Sequence, residues 1–320
     1  RHTFVVWADP QVLLKEEFSQ LEEVVADLKQ TIGGYDTPVI AMSAGDNVFD
    51  RPNLIEDYKN SIAPLDIPFY HVIGNHDMDY NERSNELSDS TYCRNFGPSH
   101  YSFNVGKVHY VVLKDVFYYG DSYHYIGYVT EEQLSWLEKD LASVEKGSTV
   151  IVGLHIPTRY GDSPSAEGVT LMRNSVMNNQ ALYRVLDGYN VHIMAGHTHY
   201  AQNYIDGDVY EHIHGAVCGA WWKSTINVDG TPNGYGVYDI SGSKIENWYY
   251  KPTRLSKDFQ IRMYRGETTF AGGYKFTYTA SDEIVANIWN SDDRNWKVEV
   301  YENGNKTGEM TREKSLDAWG

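Results

Sequence analysis

Five apolar runs, each leading into a short polar cluster, constrain this chain more than any bulk property. Residues 3–7, 39–43, 69–73, 149–153 and 191–195 precede Ala8-Asp9-Pro10-Gln11, Gly45-Asp46-Asn47, Gly74-Asn75-His76-Asp77, Leu154-His155-Ile156-Pro157 and Gly196-His197-Thr198-His199. Short continuous apolar stretches bounded by Gly or Pro suit strands that are buried on both faces of a layered sheet. In open α/β sheets, ligands collect beyond the carboxyl ends of the strands. Each run delivers an Asp, Asn or His to that edge, and together they have the composition of a metal site.

The stretches between the runs read as crossover helices. Leu14, Phe18, Leu21, Val25 and Leu28 recur at helical spacing up to Gly33-Gly34. The pattern predicts a second helix over 53–63 and another over 179–186. Thr130-Glu131-Glu132-Gln133 has the form of a capping box, continued by Leu134, Leu137, Leu141 and Val144. Hairpin turns are expected at Gly106-Lys107, Asp206-Gly207 and Ser241-Gly242. The fold class that follows for residues 1–250 is α/β, a layered sandwich of two mixed sheets flanked by helices. From Pro252 the pattern changes. Tyr274, Phe276 and Tyr278 alternate with polar residues, as do Trp296, Val298 and Val300, and Asn303-Gly304 supplies a turn. Residues 251–320 are therefore expected to form a small β-rich domain. It stops at Asp317-Ala318-Trp319-Gly320 without a closing signal and reads as incomplete.

With 41% apolar residues in 320, the chain can bury a full core. Its two cysteines, Cys93 and Cys218, form no zinc-type pair and read as buried thiols. The formal charge of −17 argues against coating nucleic acid. It leaves a phosphate substrate open, because bound cations reverse the field inside one pocket. No apolar run approaches the ~18 residues a membrane span needs. The chain opens at Arg1 and enters a strand almost at once, which fits removal of a leader or of a preceding domain. The 26 Tyr and 8 Trp lead us to expect an extracytoplasmic protein that contacts sugar.

Carboxylates, imidazoles and a carboxamide suit divalent first-row metals. One central Asp can bridge two ions, as in two-metal hydrolases. In this order, the five clusters resemble the calcineurin-like metallophosphoesterase family, whose pattern is Asp-x-His, Gly-Asp, Gly-Asn-His-Asp/Glu, a lone His and Gly-His-x-His. The resemblance covers roughly residues 3–250 and implies a four-layer α/β/β/α sandwich with a dinuclear site. It implies that Asp9 and His199 bind the first metal, that Asp46 bridges, and that Asn75, His155 and His197 hold the second. His76 would protonate the leaving oxygen, with Asp77 orienting it. One position departs: Gln11 stands where the family has a second His, and an amide oxygen is a harder, weaker donor than imidazole. The expectation is either weaker binding of the first metal or a site that favours Mn²⁺ over Zn²⁺. Phe49 occupies the place nearest to the Tyr ligand of purple acid phosphatases, which argues against an iron–tyrosinate centre. The cofactors expected are two divalent ions drawn from Mn, Zn and Fe.

Other residues are candidates for substrate contact. Arg159 and Arg173 follow His155 in a long loop, and guanidinium groups suit phosphate oxygens. His214 precedes a segment expected to border the pocket, and Trp221-Trp222 and the aromatic stretch 117–128 offer stacking surfaces. The activity expected is hydrolysis of a small phosphomonoester or phosphodiester, glycan- or lipid-linked, by metal-activated water. The alternatives are a phosphoprotein phosphatase, or a non-catalytic envelope binding protein on the same scaffold.

Overall fold

The computed structural model describes residues 1–159, 168–265, 269–270, 276–277, 283–292, 294–313, 315 and 317. The chain runs β1 (His2–Trp7), α1 (Phe18–Ile32), β2 (Val39–Ser43), α2 (Ile55–Ile62), β3 (Phe69–His71), α3 (Ser90–Phe96), β4 (Tyr101–Val105), β5 (Val108–Val112), β6 (Val116–Tyr118), β7 (Tyr125–Gly127) and α4 (Glu131–Leu141). It continues through β8 (Thr149–Gly153), α5 (Gly168–Asn174), α6 (Asn179–Leu186), β9 (Asn190–Ala195), β10 (Gln202–Asp206), β11 (Val209–Ile213), β12 (Gly234–Ser241) and β13 (Lys244–Pro252). One sheet has the order β13-β12-β1-β2-β3 and the other β10-β11-β9-β8-β5-β4. Both are mixed: β1, β2 and β3 are parallel to one another, as are β5, β8, β9 and β11, while β12, β13, β4 and β10 pair antiparallel.

Period-2 alternation explains the layers. Phe4, Val6, Ile40 and Met42 point toward the other sheet and pack with Tyr110, Val112, Ile151, Met194 and Tyr238. Val5, Trp7, Ala41 and Val237 point the opposite way and meet Leu21, Val25, Leu28 and Tyr58 of α1 and α2. On the second sheet, Val150, Val152, Val191 and Ile193 meet Leu134, Leu137, Leu141, Leu182 and Leu186 of α4 and α6. Strands covered on both faces need no polar face, which is why they read as unbroken apolar runs. Each fully buried Val, Leu or Phe contributes about 1.5–3 kcal/mol. This core fixes the strand ends that carry the polar clusters.

Two helix starts differ from the sequence pattern. α1 begins at Phe18, and Leu14 is 53% exposed. The Glu17 carboxylate accepts from the Leu13 and Leu14 amides and holds a separate turn there. At α4, Thr130 caps the Gln133 amide, but the buried Gln133 side chain bridges the backbone N–H and C=O of Lys114. The capping box is thus half made, its second half traded for a tie to the end of β5.

Beyond β13, β14 (Ile261–Arg265) pairs with β17 (Ile284–Ile288), β15 (Thr269–Phe270) with β16 (Phe276–Thr277), and β18 (Glu299–Glu302) with β19 (Asn305–Glu309). Asn303 and Gly304 make the last turn with φ of 50° and 83°. Trp296 and Val298 precede β18, while Tyr274 and Tyr278 lie outside the described residues. This β-rich region is tied to the sandwich by Asn203 Nδ2 to Ser291 O (3.1 Å), the Tyr210 hydroxyl to Asp292 (3.0 Å) and Asn287 Nδ2 to Asp229 O (2.7 Å). Among the described residues, no helix is long and apolar enough to cross a membrane.

Candidate metal centre

The parallel strands place the carboxyl ends of β1, β2, β3, β8 and β9 at one rim, and the loops there turn back sharply. Asp9, Gln11, Asp46, Asp50, His197 and His199 all have positive φ, between 44° and 71°. Such conformations are uncommon for residues with a Cβ and concentrate at functional sites. Backbone bonds hold them: Asp9 N to Gly45 O, Gln11 N to Asp46 O, Asp50 N to His76 O and Gly196 N to His155 O. Gly74 is needed for close approach, since a Cβ there would sit 2.1 Å from Asp46 Oδ1.

Asp46 is the hub. Its Oδ1 lies 3.3 Å from His155 Nε2, which is 3.1 Å from Asn75 Oδ1 and 3.2 Å from His197 Nδ1. Asp46, His155 and His197 present ligand atoms all within 4.8 Å of one another. Donors bound to one divalent ion at roughly 2.1 Å stand about 3.0–3.4 Å apart, so these four side chains fit a common cation. Asp9 and His199 lie alongside, His199 Nε2 being 3.7 Å from Asp9 Oδ1. Gln11 Nε2 donates to Asp46 Oδ2 at 2.8 Å and to Asp9 Oδ1 at 3.4 Å, and its Oε1 is buried without a partner. That orphaned acceptor beside two buried carboxylates also fits a cation.

The ionisable side chains at this rim act strongly on one another. Burial pushes the Asp9 carboxyl up to about 7, opposed by His155 and reinforced by the charge of Asp46. Burial also opposes ionisation of Asp46, but His155 and His76 outweigh it and hold that carboxyl below the usual range. His155 is disfavoured as a cation by burial, yet its contact with Asp46 lifts it to about 10. His197 and His199 are pushed down by burial, His199 to about 4, so both imidazoles are neutral and ready to bind.

His76 lies at the mouth, its side chain 23% exposed. Its amide donates to Asp46 Oδ1 at 2.8 Å, and its ring stacks on Phe49 with centroids 3.9 Å apart. The expectation that Asp77 orients this ring is corrected by the structure: Asp50 does so, with Oδ1 3.0 Å from His76 Nδ1. Asp77 turns inward and accepts from Gly74 N, Val48 N and Asn47 Nδ2, which locks the loop. Adjacency in the chain pointed to Asp77, but the left-handed turn at Asp50 brings that carboxylate across instead.

The substrate candidates divide. Trp221 is 44% exposed and packs on His199 at 4.9 Å, at the rim. Arg173 also lies there, its carbonyl 3.0 Å from His197 Nε2 and its guanidinium 4.4 Å from the centre of the Tyr125 ring. Tyr125 meets His197 edge-on. Arg159 does not join this group: its guanidinium covers Tyr204, whose ring belongs to the outer core of the second sheet, and is attracted by the buried Glu211. His214 is corrected likewise. It is 3% exposed, its ring nitrogens meet Ala195 O at 3.1 Å and the Tyr238 hydroxyl at 2.9 Å, and it is a satisfied core histidine. Sequence reasoning missed Asp115, buried between β5 and β6, which accepts from the His155 and Ile156 amides at 3.1 and 2.8 Å. The signal was present: residues 108–113 are a sixth apolar run that ends in a charged pair.

A family model described as Calcineurin-like phosphoesterase matches residues 2–201, and one described as C terminal of Calcineurin-like phosphoesterase matches residues 211–319. No functionally curated protein matches the chain. Solved structures with a similar fold include a 5'-nucleotidase from Candida albicans, with 12% identity and a TM-score of 0.43 over 78% of this chain and 50% of that one. A 5'-nucleotidase precursor from Thermus thermophilus has 10% identity and a TM-score of 0.42 over 78% of this chain and 53% of that one. TT1561 of the same organism has 10% identity and a TM-score of 0.46 over 79% of this chain and 99% of that one. The chain spans about half the length of the two nucleotidases.

Proposed function

Since the chain belongs to the calcineurin-like phosphoesterases, by the match over residues 2–201, we propose that it hydrolyses small phosphoesters at a dinuclear metal centre bridged by Asp46. The convergence of Asp46, Asn75, His155 and His197 on one point is the observation that carries this reading. In it, these residues would hold one cation, and Asp9, Gln11 and His199, together with Asp46, would hold a second. When bound, divalent ions supply Lewis acidity toward phosphoryl oxygens and a nucleophile available near neutral pH.

The remaining chemistry falls to the protein. Asp50 on His76 Nδ1 fixes the ring and leaves Nε2, 4.0 Å from Asp46 Oδ2, to donate a proton to the departing oxygen. Stacking on Phe49 keeps the ring plane in place. Asp115 holds the backbone at His155, and carbonyls of Ala44 and Arg173 orient the rings of His155 and His197. Trp221, exposed at the mouth, offers an apolar face to the organic part of an ester, and the Arg173 guanidinium, stacked on the buried Tyr125 ring, is the nearby cation for a phosphoryl oxygen. The formal charge of −17 supports a small ester over nucleic acid.

Chelator-stripped protein reloaded with Mn²⁺ or Zn²⁺ and assayed on an aryl phosphate and an aryl phosphodiester tests this. Turnover of one ester should vanish on stripping and return on reloading. Inactivity on both esters with the centre loaded would overturn the reading in favour of a binding protein on a hydrolase scaffold.

A further inference from the structure

We propose that the β-rich region beyond β13 is part of the support of the metal centre. Its strands β14 and β17 hold a clasp, residues 227–231, that fastens the two sheets to each other beside Asp9 and His199. The inference rests on the metal-dependent reading above and assigns positioning roles to Asn227, Asp229, Arg262 and Asn287.

The clasp is a tight turn in which Asn227 N donates to Thr231 O and Gly230 N to Asn227 O. Its side chains bond to the sandwich. The Asp229 carboxylate accepts from the Ala201 amide at 2.8 Å, two residues beyond His199, where the chain enters β10 of the second sheet. It also accepts from Thr231 N and Oγ1, both at 2.9 Å, which fixes its direction within the turn. The buried Asn227 reaches the first sheet, where its Oδ1 accepts from the Ala216 amide at 3.0 Å. Ala216 pairs with Ala8 beyond β1, and Val217 N donates to Ala8 O, one residue before Asp9. The Asn227 bond also closes the base of the segment 216–227. That segment carries Trp221 against His199, and Trp222, whose Nε1 donates to Pro10 O at 2.8 Å. One turn is thus bonded next to Asp9 on one sheet and next to His199 on the other.

The carbonyls of the turn bond to the β-rich region. Asn287 Nδ2 of β17 donates to Asp229 O at 2.7 Å, and Arg262 Nη1 of β14 donates to Gly230 O at 2.6 Å. Asp317 packs against Gly230, where an added Cβ would strike its carboxylate. Asp317 in turn accepts from Asn287 Nδ2 at 2.9 Å and from the Tyr264 hydroxyl at 3.0 Å. β14 and β17 pair with each other, so these donors sit on one ribbon. A surface turn with few bonds opens locally at little cost. Bonded on both faces, this turn stays closed, and a metal site binds best when its donors are held in place before the ion arrives. The contact between Tyr210 and Asp292 joins the same two regions without passing through the turn.

Competition for Zn²⁺ between the full chain and a chelator tests this, with circular dichroism to show that each variant is folded. Asn287→Leu and Arg262→Met remove the outer donors and alter no metal-binding residue. Each should weaken Zn²⁺ retention by about tenfold, the lower end of what losing the support of metal ligands costs. Arg262→Met is the milder change and decides the matter where Asn287→Leu does not fold. Arg262→Lys keeps a donor toward Gly230 O and should restore wild-type affinity. Tyr210→Phe loosens the same interface away from the turn and should leave Zn²⁺ affinity unchanged. Wild-type affinity in the folded Asn287→Leu or Arg262→Met protein, or an equal loss in Tyr210→Phe, would overturn the proposal alone. Absence of Zn²⁺ binding by the wild type would overturn the metal-dependent reading and the proposal with it.

Discussion

His76 concentrates the chemistry in one ring. Burial works against its charged form, but the negative charges of Asp46 and Asp50 prevail and hold its pKa above the ordinary histidine value. The ring therefore tends to carry the proton that an alkoxide leaving group needs. General acids contribute roughly 10²–10⁴-fold, and most where the leaving group is poor. His76→Asn should lose about that factor on alkyl phosphoesters and far less on nitrophenyl esters, whose leaving group needs no proton. Asp50→Asn should show the same dependence on leaving group with a smaller loss, because the ring remains but is no longer held. Steady-state rates on a paired alkyl and aryl substrate decide this. Equal losses on both would mean that His76 shapes the site without donating a proton.

At the scale of elements, strand ends and their loops build the site, and β11 shows how a remote strand contributes. Glu211 is buried on β11, and its carboxylate accepts from the Thr158 amide at 2.6 Å and the Thr158 hydroxyl at 2.7 Å, three residues beyond His155. Burial pushes its pKa up to about 7, opposed by those hydrogen bonds. A carboxyl whose folded pKa exceeds its unfolded value adds stability that is complete below pH ~4.5 and is lost as pH rises through about 7. The stability of wild type relative to Glu211→Gln should therefore fall between pH 5 and pH 8, by roughly 3 kcal/mol at most. Urea unfolding of both proteins at the two pH values measures it, and a pH-independent difference would show that the carboxylate is ionised throughout. The same loops show where sequence reading stops. The apolar runs of β1, β2, β8 and β9 were legible because strands covered on both faces carry no alternating polar residues. The Asp46, Asn75, His155 and His197 cluster was legible because each residue directly follows such a run. The partner of His76 was not, because the left-handed turns at Asp46 and Asp50 re-aim side chains in a way no spacing rule encodes. His214 misled for the opposite reason: it follows a strand like the other histidines, but Ala195 and Tyr238 take up both its nitrogens.

For the molecule as a whole, two sheets packed through Phe4, Val6, Met42, Tyr110, Ile151 and Met194 bring together residues from position 9 to position 199. Neither sheet alone holds the set, since Asp9, Asp46 and Asn75 follow strands of one and His155, His197 and His199 follow strands of the other. Packing between the sheets thus sets the distances across the centre, and the β-rich region beyond β13 is anchored on the edge at β10 and on the turn at Asp229. The central claim is that this seam cradles a pair of cations around one shared carboxylate. An anomalous-scattering crystal structure of the Mn²⁺-loaded protein tests it most directly. It should show two peaks flanking the Asp46 carboxylate, one bounded by Asn75, His155 and His197 and the other by Asp9 and His199. A single peak remote from Asp46, or none at full loading, would contradict the account.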